Sequence, residues 1–256
     1  MVVVPYGPAS SPTVAGAIAD VSTIGGYFEL GIGPIEPGWR PLTDLPVGQR
    51  IDDAAARLGT GETRVAASIL FQGLAARLWS PVVGVAVAHD LLVDLAPAQV
   101  HWSAAPSGPL PLRAERLTGR RVLDAADLAG PVYRTVVSGL LEPLAQAVQE
   151  IVRIAPGLLW GNAASSLAGT VRALACERPA LAGRATALGR QLLALGVLRG
   201  SGDLVEPAPG QPFFVRRSCC LYYRIPGGGK CGDCVLIDAD TRREQWALTM
   251  RRSRGS

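Results

Sequence analysis

Four of the five cysteines fall within sixteen residues near the C-terminus: Cys219, Cys220, Cys231 and Cys234. Four thiols in one short stretch oxidise unless they are held as thiolates around a metal, so the Cys-Cys-x10-Cys-x2-Cys spacing predicts a metal centre there. Cys231-Gly-Asp-Cys234 has the form of a metal knuckle, in which two thiolates three positions apart grip one ion and intervening N–H groups face the sulfurs. The adjacent pair is harder to place. Neighbouring side chains of an extended strand point to opposite faces, so Cys219 and Cys220 reach one centre only at a bend, or at a centre with breadth. A two-iron cluster has that breadth and a zinc ion has much less. Spacing alone leaves zinc, iron–sulfur and reactive thiols open.

The remaining 200 or so residues read as a helical body. At 256 residues, with 48% hydrophobic and 18% charged side chains, the chain supports one substantial core and is far from a disordered composition. Pro81–Ala88 is stopped by His89 and Asp90, and 185–198 contains Arg190. Neither run reaches the roughly 18 uninterrupted apolar residues of a membrane span. The N-terminus lacks a basic region ahead of an apolar stretch, which argues against a secretory signal and for a cytoplasmic protein, where thiols stay reduced. No lipidation motif is evident, and a peripheral place on the cytoplasmic face of the membrane is compatible with the chain. Lys230 is the only lysine against 24 arginines. The arginines are scattered as on a solvated surface, so no nucleic-acid partner is expected.

Periodicity predicts helices over 13–24, 51–58 and from Thr60 (as N-cap) through Leu78, with 82–95 continuing as buried helix. Residues 30–50, rich in Gly and Pro, read as connecting chain. Residues 99–105 and 110–117, split by Pro106-Ser-Gly-Pro109, read as a β-hairpin. Helices follow over 133–154, started or kinked at Pro143, then 162–176 and 181–198. Residues 201–212 read as a link, and Thr241-Arg-Arg-Glu244 as a capping box opening a last helix. The expected fold is an α-rich α+β body over 1–200, with a small hairpin, and a C-terminal cluster-binding segment over 213–256.

The stretch Val215–Leu236, with its cysteine spacing and flanking Arg-Arg-Ser, resembles the C-terminal signature of ferric siderophore reductases of the FhuF type. Residues 65–78 and Trp160-Gly-Asn-Ala-Ala-Ser-Ser are similar, more loosely, to the helical body of that family, which itself is similar to part of the IucA/IucC siderophore synthetases. The resemblance implies that Cys219, Cys220, Cys231 and Cys234 hold a 2Fe–2S cluster that passes one electron to iron(III) in a siderophore. It makes the chain an oxidoreductase acting on siderophore iron. Two other readings are a zinc-stabilised binding module and a protein of siderophore binding or biosynthesis.

Several further residues carry expectations. Arg216, Arg217, Arg224 and Lys230 lie within a few residues of a cysteine, where they tune the centre, dock an anionic siderophore, bind an acidic electron donor, or merely keep the loop soluble. Gly31-x-Gly33 lacks the strand–turn–helix context of a dinucleotide site, and no phosphate-cradling loop is present. Electrons must therefore come from a separate donor, a ferredoxin or a flavin reductase. Cys176 reads as a buried structural thiol, His101-Trp102 as a structural pair, Tyr222 and Tyr223 as shields of the centre, and Trp160-Gly161-Asn162 as a helix start.

Overall fold

The computed structural model describes residues 6–105, 108–122 and 128–253. Strand β1 (Tyr6–Ala9) leads into α1 (Ser11–Ser22), which Ser10 caps by accepting from Thr13 N at 3.4 Å, with Pro12 in the first turn. Two short strands, β2 (Gly31–Ile32) and β3 (Arg40–Pro41), follow within the connecting chain. Helix α2 (Val47–Leu58) ends where Gly59 turns left-handed at φ 61°.

Helix α3 (Thr63–His89) organises the body. Its N-cap position is Glu62, while the Thr60 hydroxyl accepts from Glu62 N outside the helix. The helix runs unbroken through Pro81, and its apolar residues are buried nearly all round, as expected of a core helix. By length and composition α3 is apolar enough to cross a membrane, yet 72% of its most apolar window is buried inside the protein. Sequence reading missed this because it looked for an uninterrupted apolar run, and Pro81–Ala88 alone is short.

Helix α3 ends at Asp90, which turns left-handed at φ 55°, and the expected helix over 82–95 gives way to β4 (Leu91–Asp94). That apolar run is strand because it pairs antiparallel with β7 (Thr118–Val122), Leu91 opposite Arg121 and Asp94 opposite Thr118; β1 pairs on the other side of β7. The expected hairpin is present but shorter, as β5 (Val100–Trp102) and β6 (Leu112–Ala114) in a four-stranded sheet ordered β2-β6-β5-β3. Pro106 and Ser107 of its turn lie outside the described residues.

The helix expected over 133–154 is three pieces: α4 (Ala129–Tyr133), a π-helical stretch Arg134–Leu141, and α5 (Glu142–Ile151) with Pro143 in its first turn. Proline lacks the N–H that an α-helical rung needs, and the wider turns precede it. Helix α6 (Pro156–Glu177) starts six residues before the sequence suggests, at Pro156, and α7 (Ala182–Leu193) is flanked by short 3₁₀ turns. Residues 201–212 are no mere link. They form β8 (Gly202–Ala208) and most of the turn into β9 (Gln211–Arg216), paired antiparallel with a bulge between Val205 and Ala208. The last helix, α8 (Ala239–Ser253), starts two residues early because Asp238 accepts from Thr241 N at 2.9 Å.

The core gathers around α3 and α6. Trp79, fully buried, donates to the Ala163 carbonyl at 3.1 Å, and Phe71 meets Trp160 edge to face at 6.3 Å. The architecture is α-rich α+β, with the cysteines gathered near the C-terminus.

Candidate metal centre and its cavity

Strand β9 lays the chain against α6 and delivers it at Arg216 to the cysteine segment, which has almost no regular structure of its own. Side chains from the helices hold it. The Ser68 hydroxyl on α3 donates to the Cys220 carbonyl at 2.7 Å. Asn162 on α6 donates to the Ser68 carbonyl and hydroxyl oxygens, each at 2.8 Å. Arg216 donates to Asn162 Oδ1 and to the Ser218 carbonyl, each at 2.5 Å. Farther along α6, the Ser165 hydroxyl donates to Asp233 Oδ2 at 2.5 Å. Gly161 makes the close approach possible: a Cβ there would overlap the Ser218 hydroxyl and lie 3.4 Å from Arg216 Nη2.

The bend that two adjacent cysteines require is at Leu221, a non-glycine residue in the left-handed region at φ 66°. It lets Leu221 N donate to Cys219 Sγ at 3.4 Å, while Cys220 turns inward. The second pair sits on a turn in which Cys234 N donates to the Cys231 carbonyl at 3.1 Å. Cys220 Sγ and Cys231 Sγ come within 3.4 Å of each other, about the separation of two sulfurs on one metal ion with Zn–S-type bonds of ~2.3 Å. Cys220 and Cys234 are buried, and Cys219 and Cys231 are half-buried. Among the described residues no three Cys, His, Asp or Glu side chains form a ready-made single-ion cage. The donor set is thus one close thiol pair with two further thiols on the same short segment, an arrangement whose chemistry suits an all-thiolate centre with breadth.

The close pair shares its charge unequally. The hydrogen bond between the two thiols lowers Cys220 to about 6, against the opposing effect of burial, and the Arg216 guanidinium lowers it further. Cys231 is pushed up by that same bond and by burial. Asp233 is also pushed up, chiefly by burial, against the pull of its bond from Ser165.

Beside the pair lies a cavity of about 750 Å³ between α3, α6 and the chain at 24–28. Cys220, Cys231, Tyr222 and Asp233 form one wall. Glycine and alanine open the helix faces at Gly73, Ala76, Gly169 and Ala173, and Gln72, Ser80, Ser165, Ser166 and Thr170 supply the polar atoms. Those hydroxyls donate inward, Ser166 to the Gln72 carbonyl at 2.8 Å and Ser80 to the Ala76 carbonyl at 2.8 Å, so oxygen lone pairs remain for a ligand. This cavity, built from serines and small residues on two helices, escaped sequence reading. Only the Ala-Ala-Ser-Ser run beginning at Ala163 hinted at it.

None of the four cations near the cysteines lines the cavity. Arg216 is fully buried and is no surface charge. Arg217 pairs with Asp203 and Arg224 with Glu62, while Lys230 donates to the Leu236 carbonyl at 3.0 Å; all three are exposed. Tyr222 and Tyr223 are exposed, and Tyr222 flanks the cavity. Cys176, expected to be buried, is exposed at the end of α6. Trp160-Gly161-Asn162 lies inside α6 and opens no helix; Asn162 is a buried anchor of the cysteine segment. His101 and Trp102 sit on β5 away from the site, with Trp102 under the guanidinium groups of Arg40 and Arg50.

No curated protein matches the chain. Residues 216–236, which begin at Arg216 and include all four cysteines, match the family model of the FhuF 2Fe–2S C-terminal domain, so the chain carries a C-terminal segment of the FhuF 2Fe–2S type.

Proposed function

We propose that the protein is a ferric siderophore reductase: Cys219, Cys220, Cys231 and Cys234 hold a 2Fe–2S cluster, and the cavity beside Cys220 and Cys231 receives the iron(III) chelate. The observation that carries the reading is the shared wall. The two closest thiols of the family-matched segment line a cavity of about 750 Å³, a volume in the range of small-molecule sites. When bound, such a cluster supplies electrons one at a time. One electron is also the difference between iron(III), which hard oxygen donors hold firmly, and iron(II), which they hold far less well.

The residues of the chain bind and orient. The glycine and alanine faces of α3 and α6 let a bulky chelate approach the sulfur-bearing wall. The hydroxyl oxygens of Ser80, Ser165, Ser166 and Thr170 accept from N–H or O–H groups on the periphery of the ligand. Tyr222 at the rim limits water at the wall. No acid–base residue is required, because the electron alone labilises the metal. The electron enters from a separate one-electron carrier, a ferredoxin or a flavin reductase, which is oxidised as iron(III) is reduced. The product iron(II) is released in the cytoplasm, with membrane association no more than peripheral.

The test is a single-turnover reaction. Anaerobic protein is reduced with dithionite, freed of excess reductant, and mixed with a ferric siderophore in the presence of a ferrous-specific chromogenic chelator. Reoxidation with release of one iron(II) per cluster supports the proposal. Reduced protein that stays reduced beside several siderophore types overturns it.

A further inference from the structure

Among the described residues two arginines are buried, and they are buried differently. Arg77 is 2% exposed and spends its donors on the carbonyls of Leu110, Gly26 and Tyr27, at 2.7 to 2.8 Å. Arg216 is 0% exposed and, among the described residues, its guanidinium has two partners, Asn162 Oδ1 and the Ser218 carbonyl. Its Nη1 is buried without a hydrogen-bond partner, and among the described residues no carboxylate comes within ion-pair distance. A guanidinium is always charged, and a buried charge without a counter-charge is strongly unfavourable. Something must offset it.

The cation is set into the cysteine segment itself: its guanidinium donates to the carbonyl of Ser218, which precedes Cys219, and its backbone N–H donates at 3.3 Å to the carbonyl of Asp233, which precedes Cys234. The Asp233 carboxyl feels the same guanidinium but lies beyond ion-pair distance and is held by Ser165. The guanidinium is also fixed from α6. Asn162 that accepts from it donates to Ser68, and Ser68 donates to the Cys220 carbonyl, so one chain of hydrogen bonds sets the cation and a cysteine backbone together. The close approach allowed by Gly161 keeps that chain against α6.

Resting on the proposal that the four cysteines hold an iron–sulfur cluster, we infer that Arg216 is the built-in counter-cation of the centre. The four thiolates give the oxidised cluster a net charge of about −2, and one further electron deepens it. Arg216 offsets part of that charge, favours the reduced over the oxidised state, and leaves Nη1 to donate to an acceptor that the centre brings. Asn162 and Ser68 are positioning residues. The cavity lining thereby holds no cation, and the charge compensation comes from a buried side chain outside it.

Three variants of the full-length, anaerobically purified protein test this: Arg216→Gln, Arg216→Lys and Asn162→Asp. Iron and sulfide are counted, and the midpoint potential is read from the EPR signal of the reduced protein. Arg216→Gln is expected to disfavour reduction at least tenfold, a fall of about 59 mV for one electron, and Arg216→Lys to recover more than half of it. Asn162→Asp sets a carboxylate beside the guanidinium and is expected to shift the potential in the same direction with the arginine in place. A Gln variant that loads iron fully and keeps the wild-type potential overturns the inference. So does loss of iron in the Gln and Lys variants alike, since lysine retains the charge. Loss in Gln with retention in Lys supports it. A wild-type protein that is colourless and holds zinc would instead defeat the proposed reduction, and the inference is then read from zinc affinity. Arg216→Gln should loosen zinc at least tenfold in competition with a chromogenic chelator, and an unchanged affinity overturns it.

Discussion

The α3–α6 pair and the cysteine segment are held by different physics. The helices carry their own hydrogen bonds and bury apolar faces against each other, with Trp79, Phe71 and Leu167 fully enclosed. The segment from Arg217 to Asp238 has only a 3₁₀ turn at Tyr222–Arg224 and exposes Tyr223, Val235 and Leu236. It is pinned by polar anchors reaching from the helices, Ser68 to Cys220 and Ser165 to Asp233, and by Leu221 and Ile225, which pack against Val65. A region with so little regular structure of its own would gain much of its order from a bound metal. One region is a scaffold complete without a ligand, and the other a loop that the proposed centre would complete.

The sharpest way to break that comparison is to remove a ligand. Cys220→Ser and Cys234→Ser are each expected to abolish iron loading, measured as iron and sulfide per chain. The far-UV circular dichroism should stay that of the wild type, because the helices do not need the centre. Helical content that collapses with the iron would erase the distinction. Attacking the scaffold should do the reverse. Trp79→Ala opens a cavity in the core and removes the indole donor to the Ala163 carbonyl, at a cost of about 3–5 kcal/mol in urea unfolding.

Smaller changes probe the anchors. Ser68→Ala removes the donor to the Cys220 carbonyl and is expected to cost about 1–3 kcal/mol, with weaker iron retention against a chelator. An unaltered off-rate of iron would show that the anchor does not position Cys220. The smallest effect concerns pH. Burial raises Asp233, so in metal-free protein the folded state holds this proton more tightly than the unfolded chain, whose carboxyl ionises near 3.8. The stabilisation is full below that ordinary value and is lost as pH rises through the raised one. Asp233→Asn should therefore gain on the wild type in urea stability as pH rises from about 4 to 7, and a constant gap would contradict the assignment.

The same division explains what the sequence disclosed. The cysteine spacing was legible because thiol chemistry is local. The helices were legible where periodicity is simple, as at Val47–Leu58 and Ala182–Leu193. Reading failed where partners far along the chain decide. Leu91–Asp94 is strand because of Thr118–Val122, and Gly202–Ala208 because of Gln211–Arg216. Arg216 looked like one of four surface cations, and only the packing of β9 on α6 shows that it is enclosed. The cavity joins residues as far apart in the chain as Gln72 and Cys220, 148 positions, and no window of sequence contains it.

The most direct test of the central claim is the spectrum of anaerobically purified protein before and after dithionite. Absorption between about 400 and 600 nm that bleaches on reduction, with a spin-one-half EPR signal and two irons and two sulfides per chain, is the predicted result. Colourless protein that holds a single zinc ion would contradict it and leave the cysteine segment a structural knuckle.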